Sequence, residues 1–213
     1  MDTDRLIQTL AADNAQRSRP VGTALSVALL LAFATAAVLL LSTIGLRADI
    51  RSAMRTPLFD LKFVVTLALA IPALVLSLHL ARPEAKLRGR AWWLLAPVAV
   101  LALGAASEMM WMPNRPPMPV RWIGHNALLC LIAIPLLALP ILAAALLALR
   151  QGAPSRPALA GAVAGLLSAG LAATLYAAHC IDDSPLFVAT WYTLATALVT
   201  AIGALAGAKW LRY

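Results

Sequence analysis

Charged side chains are scarce in this sequence. Of its 213 residues only 12% are Asp, Glu, Lys or Arg, whereas 62% are hydrophobic. Ordinary soluble domains contain roughly a quarter charged residues and about half apolar residues, so this composition excludes a typical soluble domain. The apolar residues also fall in long runs rather than in periodic stripes, which is the pattern of chains that fold in a lipid bilayer.

Catalytic and nucleotide-binding motifs are also missing. The sequence contains no nucleophile elbow, phosphate loop, metalloprotease motif or glycine-rich dinucleotide loop. We therefore predict that the protein is not an enzyme and requires no cofactor. The middles of the apolar runs consist of Leu, Ala and Val, whereas a proton-coupled carrier would normally keep a charged residue there. A transport site lined by backbone atoms stays open as an alternative.

Six apolar runs are long enough to cross a bilayer, which takes roughly 20 residues of helix. We predict an all-α, polytopic membrane protein with a six-helix transmembrane domain over residues 21–208. A tail precedes it at residues 1–20, and another follows at 209–213. The predicted spans cover about residues 21–46, 63–81, 91–110, 123–149, 158–178 and 187–208.

Lysine and arginine are distributed unequally between the two sides of this topology. The two tails and the loops after the second and fourth spans carry eleven of the 17 basic residues, and the other three loops carry six. Basic residues favour the cytoplasmic side, so both termini are predicted to face the cytoplasm. The formal net charge of +8 therefore indicates topology, and we predict no direct contact with nucleic acid.

Both cysteines, Cys130 and Cys180, fall on the predicted outer side, away from the reducing cytosol. Two thiols there could form a disulfide, bind a soft metal ion or react with oxidants. A heavy-metal ion could thus bind transiently at the pair, with His179, Asp182 and Asp183 as helpers in the loop around Cys180. Two plainer interpretations stay open: Cys130 as a small packing residue, and the loop as a polar turn before the next helix.

The N-terminal tail is the largest predicted cytoplasmic segment. Leu6, Ile7 and Leu10 lie at helical spacing among acidic residues. A segment this short does not fold alone, but its apolar edge could dock in the groove of a partner protein. The alternative is that these three side chains lie on the membrane surface.

Three stretches of the chain resemble one known family, the six-span NrsF-like anti-sigma proteins. They are DRLIQTLAA at residues 4–12, MRTPLFDLKF at residues 54–63 and HCIDDSPLFVATWY at residues 179–192. The last stretch is the most specific, and the resemblance covers essentially the whole chain.

The resemblance implies a negative regulator that holds an extracytoplasmic-function (ECF) sigma factor at the inner membrane of a Gram-negative bacterium. It further implies release of that factor under metal or oxidative stress, with Cys130 and Cys180 at the positions of the family's two cysteines. A membrane thiol oxidoreductase is one rival, although it would normally need a CxxC pair that the sequence lacks. A small-molecule or metal transporter is the other.

Overall fold

A computed structural model describes residues 3–5, 7–8, 21–82, 89–111, 117–152 and 154–212. Within these ranges, six helices are long and apolar enough to cross a membrane, and no strand occurs. The prediction of an all-α protein with six candidate spans is therefore confirmed.

The helices are labelled in chain order from the first span. They are α1 (Val21–Thr43), α2 (Ile50–Ala53), α3 (Pro57–Leu80), α4 (Ala96–Trp111), α5 (Met118–Ile123), α6 (Ala127–Leu149), α7 (Pro157–Ala177), α8 (Pro185–Phe187) and α9 (Thr193–Trp210). A 3₁₀ helix at Arg90–Leu95 precedes α4, and a π-helical turn at Val188–Tyr192 joins α8 to α9. The fourth span combines α5 with α6, and the sixth combines α8 with α9.

Helix α7 lies at the centre of the bundle, where it packs against α3, α6 and α9. Small residues make this possible. A Cβ added at Gly165 would lie 2.8 Å from the Cα of Thr200, and one at Gly207 would lie 2.6 Å from the carbonyl oxygen of Pro157. Real Cβ atoms do not approach backbone this closely, so the α7–α9 contact requires glycine. Close backbone approach through small residues is a common way for helices to associate in membranes.

Three prolines lie inside spanning helices without ending them. Pro72 is within α3, and Pro135 and Pro140 are within α6. Each removes a backbone hydrogen bond that an isolated helix could not replace. Inside a bundle, neighbouring helices satisfy or shield the freed carbonyls, and both helices continue past these positions.

Helix α3 begins at Pro57, ahead of the apolar run that starts at Phe63. Proline is favoured at the first helical position because its missing N–H would be unpaired there anyway. This start places Asp60 and Lys62 inside the helix, and Lys62 is only 1% exposed. A buried ammonium needs paired partners, and both lie in one distant segment of the chain, at Cys180 and Asp183.

Candidate thiol site

The ends of α7 and α8 position Cys180. Helix α7 stops at Ala177, and the N–H groups of His179 and Cys180 both bond to the carbonyl of Tyr176, at 2.9 and 3.0 Å. At the other end of the loop, the Ser184 hydroxyl accepts a 3.3 Å hydrogen bond from Leu186 N–H and so caps α8. Residues 178–184 therefore form a short, fixed connection, which we call the thiol loop.

Both cysteines are completely buried and neither is in a disulfide. Cys130 lies in the first turn of α6, and it belongs to the same buried cluster as Cys180. Burial raises the pKa of the Cys180 thiol, although the positive charge of Lys62 acts in the opposite direction. Because the thiolate is the reactive and metal-binding form, burial disfavours the reactive form of Cys180.

Two tyrosines line the same interior. Tyr176 is fully buried and Tyr192 is 4% exposed, with ring centroids 5.9 Å apart. Both hydroxyls lie beside the thiol of Cys180. Neither reaches hydrogen-bond geometry with any partner in the described part of the chain. The thiol is thus surrounded by polar groups that have spare hydrogen-bonding capacity.

Two cations hold the backbone of the thiol loop. Lys62 Nζ donates to the carbonyl oxygen of Cys180 at 2.7 Å and lies 2.5 Å from Asp183 Oδ1. Arg47 Nη1 donates to the same carbonyl at 3.3 Å and to both Asp183 carboxylate oxygens at 3.0 Å. The Phe59 ring lies beneath both charges, 5.5 Å from the guanidinium carbon and 5.3 Å from the ammonium nitrogen. We call Arg47, Lys62, Asp183 and the Cys180 carbonyl the clamp.

Asp49 completes the charge balance of the clamp. Arg47 donates from Nε and Nη2 to the two Asp49 oxygens, at 2.7 and 2.8 Å. This hydrogen bond raises the pKa of Arg47 and lowers that of Asp49, so both groups stay charged at neutral pH. Two positive and two negative side chains therefore meet where the chain leaves α1, where α3 starts and where the thiol loop turns.

The predicted helper residues have definite places in this structure. Asp182 accepts backbone hydrogen bonds from His125 and from Asn126, the latter at 2.8 Å, at the start of α6. His179 lies with Nδ1 3.0 Å from the carbonyl oxygen of Gly45, and Asp183 belongs to the clamp. No group of three or more His, Cys, Asp or Glu side chains within the described ranges could hold a metal ion.

A second buried ion pair lies nearby. Arg121 of α5 donates through Nε to Glu108 Oε1 of α4 at 2.9 Å, and through Nη2 to Glu108 Oε2. The Ser184 hydroxyl also reaches Glu108 at 3.4 Å. Glu108 and Arg121 are only 4% and 5% exposed. The pair ties α4, which belongs to the least buried of the six candidate spans in the described residues, to the same end of the bundle.

The predicted partner-binding segment is described only in part. Leu6 and Leu10 lie outside the described residues. Ile7 is helical and 58% exposed.

The chain is similar in sequence to known proteins over nearly its whole length. A family model described as negative regulator of sigma F matches residues 10–213. The chain belongs to the NrsF family. The anti-sigma-F factor NrsF of Caulobacter vibrioides is 34% identical over 214 residues, covering 99% of each chain. The probable anti-sigma-F factor NrsF of Azospira oryzae is 33% identical over 218 residues, covering 100% of each. No solved structure matches the chain.

The predicted resemblance to NrsF-like proteins is thus confirmed, but sequence reasoning missed several residues of this NrsF member. Tyr176 and Tyr192 look like ordinary span residues, and Arg47 looks like a loop charge. Lys62 and Glu108 lie near the ends of their apolar runs, and the sequence pattern indicates no partner for either. The sequence does contain a signal for these ion pairs, because a charged residue inside an apolar run requires an opposite charge at the same depth in the membrane.

Proposed function

We propose that the protein is an anti-sigma factor that holds an ECF sigma factor at the bacterial inner membrane. It releases this partner when metal or oxidative stress in the periplasm acts on Cys130 and Cys180. The observation that carries the proposal is the family match over residues 10–213, together with two full-length relatives named as anti-sigma-F factors. Such a function requires a membrane anchor and a partner-binding segment, and it requires no catalysis.

The thiol pair supports the sensing part of the proposal. Cys130 and Cys180 are buried together at one end of the bundle, on the side that the basic residues predict to be periplasmic. The described residues form no group of three or more His, Cys, Asp or Glu that could hold a metal ion, so a pair of sulfur ligands suits a thiophilic ion better than a four-ligand structural zinc. Cys130 and Cys180 would supply the soft thiolate ligands, and the ion would supply a soft Lewis-acid centre. The chain itself supplies burial, which raises the pKa of Cys180 and so disfavours its thiolate form.

The thiol oxidoreductase alternative fits this geometry poorly. Enzymes of that class attack through an accessible thiolate whose pKa is lowered by its surroundings. Here Cys180 is completely buried and its pKa is raised. A thiol that reacts only when a strong thiophile reaches it suits a sensor better than a catalyst.

Replacing both cysteines by serine tests the sensing mechanism. Cys130→Ser/Cys180→Ser should retain the sigma factor on isolated membranes as the wild type does, but should no longer release it when Cd²⁺ or a thiol oxidant is added. Serine cannot act as a soft ligand or a redox centre. Met110→Leu is the matched control, because it removes an exposed sulfur (79% exposed) from α4 and should respond normally. Release from the double variant under the same stress would assign sensing to other residues.

The tail prediction has its own test. Leu6→Asp/Leu10→Asp should release the sigma factor constitutively while membrane insertion stays intact. Burying a carboxylate where an aliphatic side chain packed costs several kcal/mol, about a hundredfold or more in affinity. Arg17→Ala is the control and should retain the partner, since a charge at the rim of an interface mainly affects association rate. If the aspartate variant retained all of the sigma factor, the docking site would be assigned to the basic loop at residues 82–90 instead.

A further inference from the structure

The backbone of the sensor cysteine is bonded to two other helical segments. The carbonyl oxygen of Cys180 accepts hydrogen bonds from Lys62 at 2.7 Å and from Arg47 at 3.3 Å. Lys62 belongs to α3, and Arg47 lies four residues beyond the end of α1 at Thr43.

The cations in the clamp cannot easily part from the thiol loop. Lys62 is 1% and Arg47 is 8% exposed, and both use Asp183 as a counter-ion. Removing one partner from a buried ion pair leaves an uncompensated charge, which is strongly unfavourable. A displacement of residues 180–183 therefore either takes the two cations along or breaks the cluster as a unit.

The connection to α1 is reinforced by two further bonds. The backbone N–H of Arg47 donates to the carbonyl of Ala178 at 3.2 Å, and His179 Nδ1 lies 3.0 Å from the carbonyl oxygen of Gly45. The segment after α1 and the thiol loop are thus joined by backbone and side chain alike. Helix α1 runs from this junction to Val21, the first residue after the 1–20 tail.

We propose that Arg47 and Lys62 are positioning residues that couple Cys180 to α1, so that a change at the thiol is transmitted to the N-terminal tail. The inference rests on the proposed function, because it takes the tail as the partner-binding segment. The clamp belongs to the arrangement in which both thiols are free, and so it stabilises the partner-holding form. Both bound and released forms then exist in equilibrium, and the clamp sets their ratio.

Breaking the clamp should therefore release the partner without any stress. Arg47→Met keeps the apolar stem of the side chain and removes its charge. We expect it to lower sigma-factor retention on isolated, unstressed membranes at least threefold. The same loss is expected when Arg47→Met is combined with Cys130→Ser/Cys180→Ser, because the coupling step lies downstream of the thiols. Lys62→Met should act in the same direction.

Arg51→Met and Arg55→Met are the matched controls, since both remove an exposed arginine from the same connection. They should retain the partner as the wild type does. Membrane abundance and thermal unfolding in detergent are measured for every variant, so that lost folding is not mistaken for release. Wild-type retention by inserted, folded Arg47→Met and Lys62→Met would overturn the coupling proposal.

A gentler variant keeps the test decisive if Arg47→Met does not accumulate. Arg47→Lys retains a charge for Asp183 but cannot reach Asp49 and the Cys180 carbonyl at the same time. Partial release is expected from it, and wild-type retention at wild-type abundance would again overturn the coupling. If the protein were not an anti-sigma factor, the result would be different, because wild-type membranes would then retain no sigma factor either.

Discussion

The hydroxyls of Tyr176 and Tyr192 are the least satisfied polar groups around the thiols. Both are buried, and neither has a hydrogen-bond partner within the described ranges. A buried hydroxyl without a partner costs roughly 1–3 kcal/mol of desolvation free energy. The rings themselves pack against each other, 5.9 Å between centroids, so the cost comes from the hydroxyl oxygens alone.

Removing one hydroxyl should therefore stabilise the protein. Tyr176→Phe is expected to raise the free energy of unfolding by about 1 kcal/mol, measured as a higher Tm in detergent. Tyr176→Ala is the contrasting variant, since the cavity left by a buried ring typically costs about 3–5 kcal/mol. A lower Tm for Tyr176→Phe would mean that the hydroxyl makes a stabilising bond.

Residue-scale features were the hardest to predict from sequence. The cysteines and the polar loop around Cys180 could be singled out because thiols, imidazole and carboxylates are rare in this chain. The hydrogen bond of Lys62 could not be predicted, because its partner Cys180 lies 118 residues away in the sequence. Nothing in a local pattern of apolar and charged residues specifies which distant charge neutralises a buried one.

Among the helices, the contact between α7 and α9 has the least tolerance for added volume. Gly161 lies against Gly207, and a Cβ on Gly161 would approach the Gly207 Cα to 2.7 Å. Backbone atoms cannot rotate away as the tip of a flexible side chain can. The whole of α9 would have to move.

Gly161→Ala should accordingly destabilise the bundle by about 3 kcal/mol, the upper end of the usual cost of overpacking. Gly22→Ala is the matched control in α1, where the new Cβ would lie 3.8 Å from Leu78 Cδ2, an ordinary contact. Its stability should be unchanged or slightly higher, because alanine favours helix. Thermal unfolding of both variants in one detergent makes the comparison, and equal Tm values would contradict the close-packing explanation.

The number of spanning helices could be predicted because bilayer thickness sets a length that apolar runs either reach or miss. The first residue of α3 could not be predicted, since Asp60 and Lys62 interrupt the apolar pattern that marks a span. The short helix α5 escaped prediction for the same reason, because Arg121 within it is neutralised only by Glu108 of α4. Tertiary pairing overrides local composition at these places.

For the whole molecule, the orientation of the bundle remains a prediction from the basic residues. Alkaline phosphatase fused near Met54, Pro117 or Asp183 should be active, because these sites are expected in the periplasm. Fusions near Gly89, Gly152 or Tyr213 should be inactive, and a cytosolic reporter should give the opposite pattern. Phosphatase activity at Gly89 would invert the topology and place the thiols on the cytoplasmic side.

The two buried ion pairs also differ in how far the chain must be synthesised before both partners of the pair are present. Glu108 and Arg121 are 13 residues apart, so the third and fourth spans can enter the bilayer as a hairpin whose charges already neutralise each other. The partners of Lys62 in the clamp are made much later, because Lys62 pairs with Asp183 and donates to Cys180, which lies 118 residues further along the chain. The clamp can therefore close only after the fifth span has been made. Closure of the clamp is thus a late step of membrane assembly, followed in chain order by insertion of the sixth span, Pro185–Trp210.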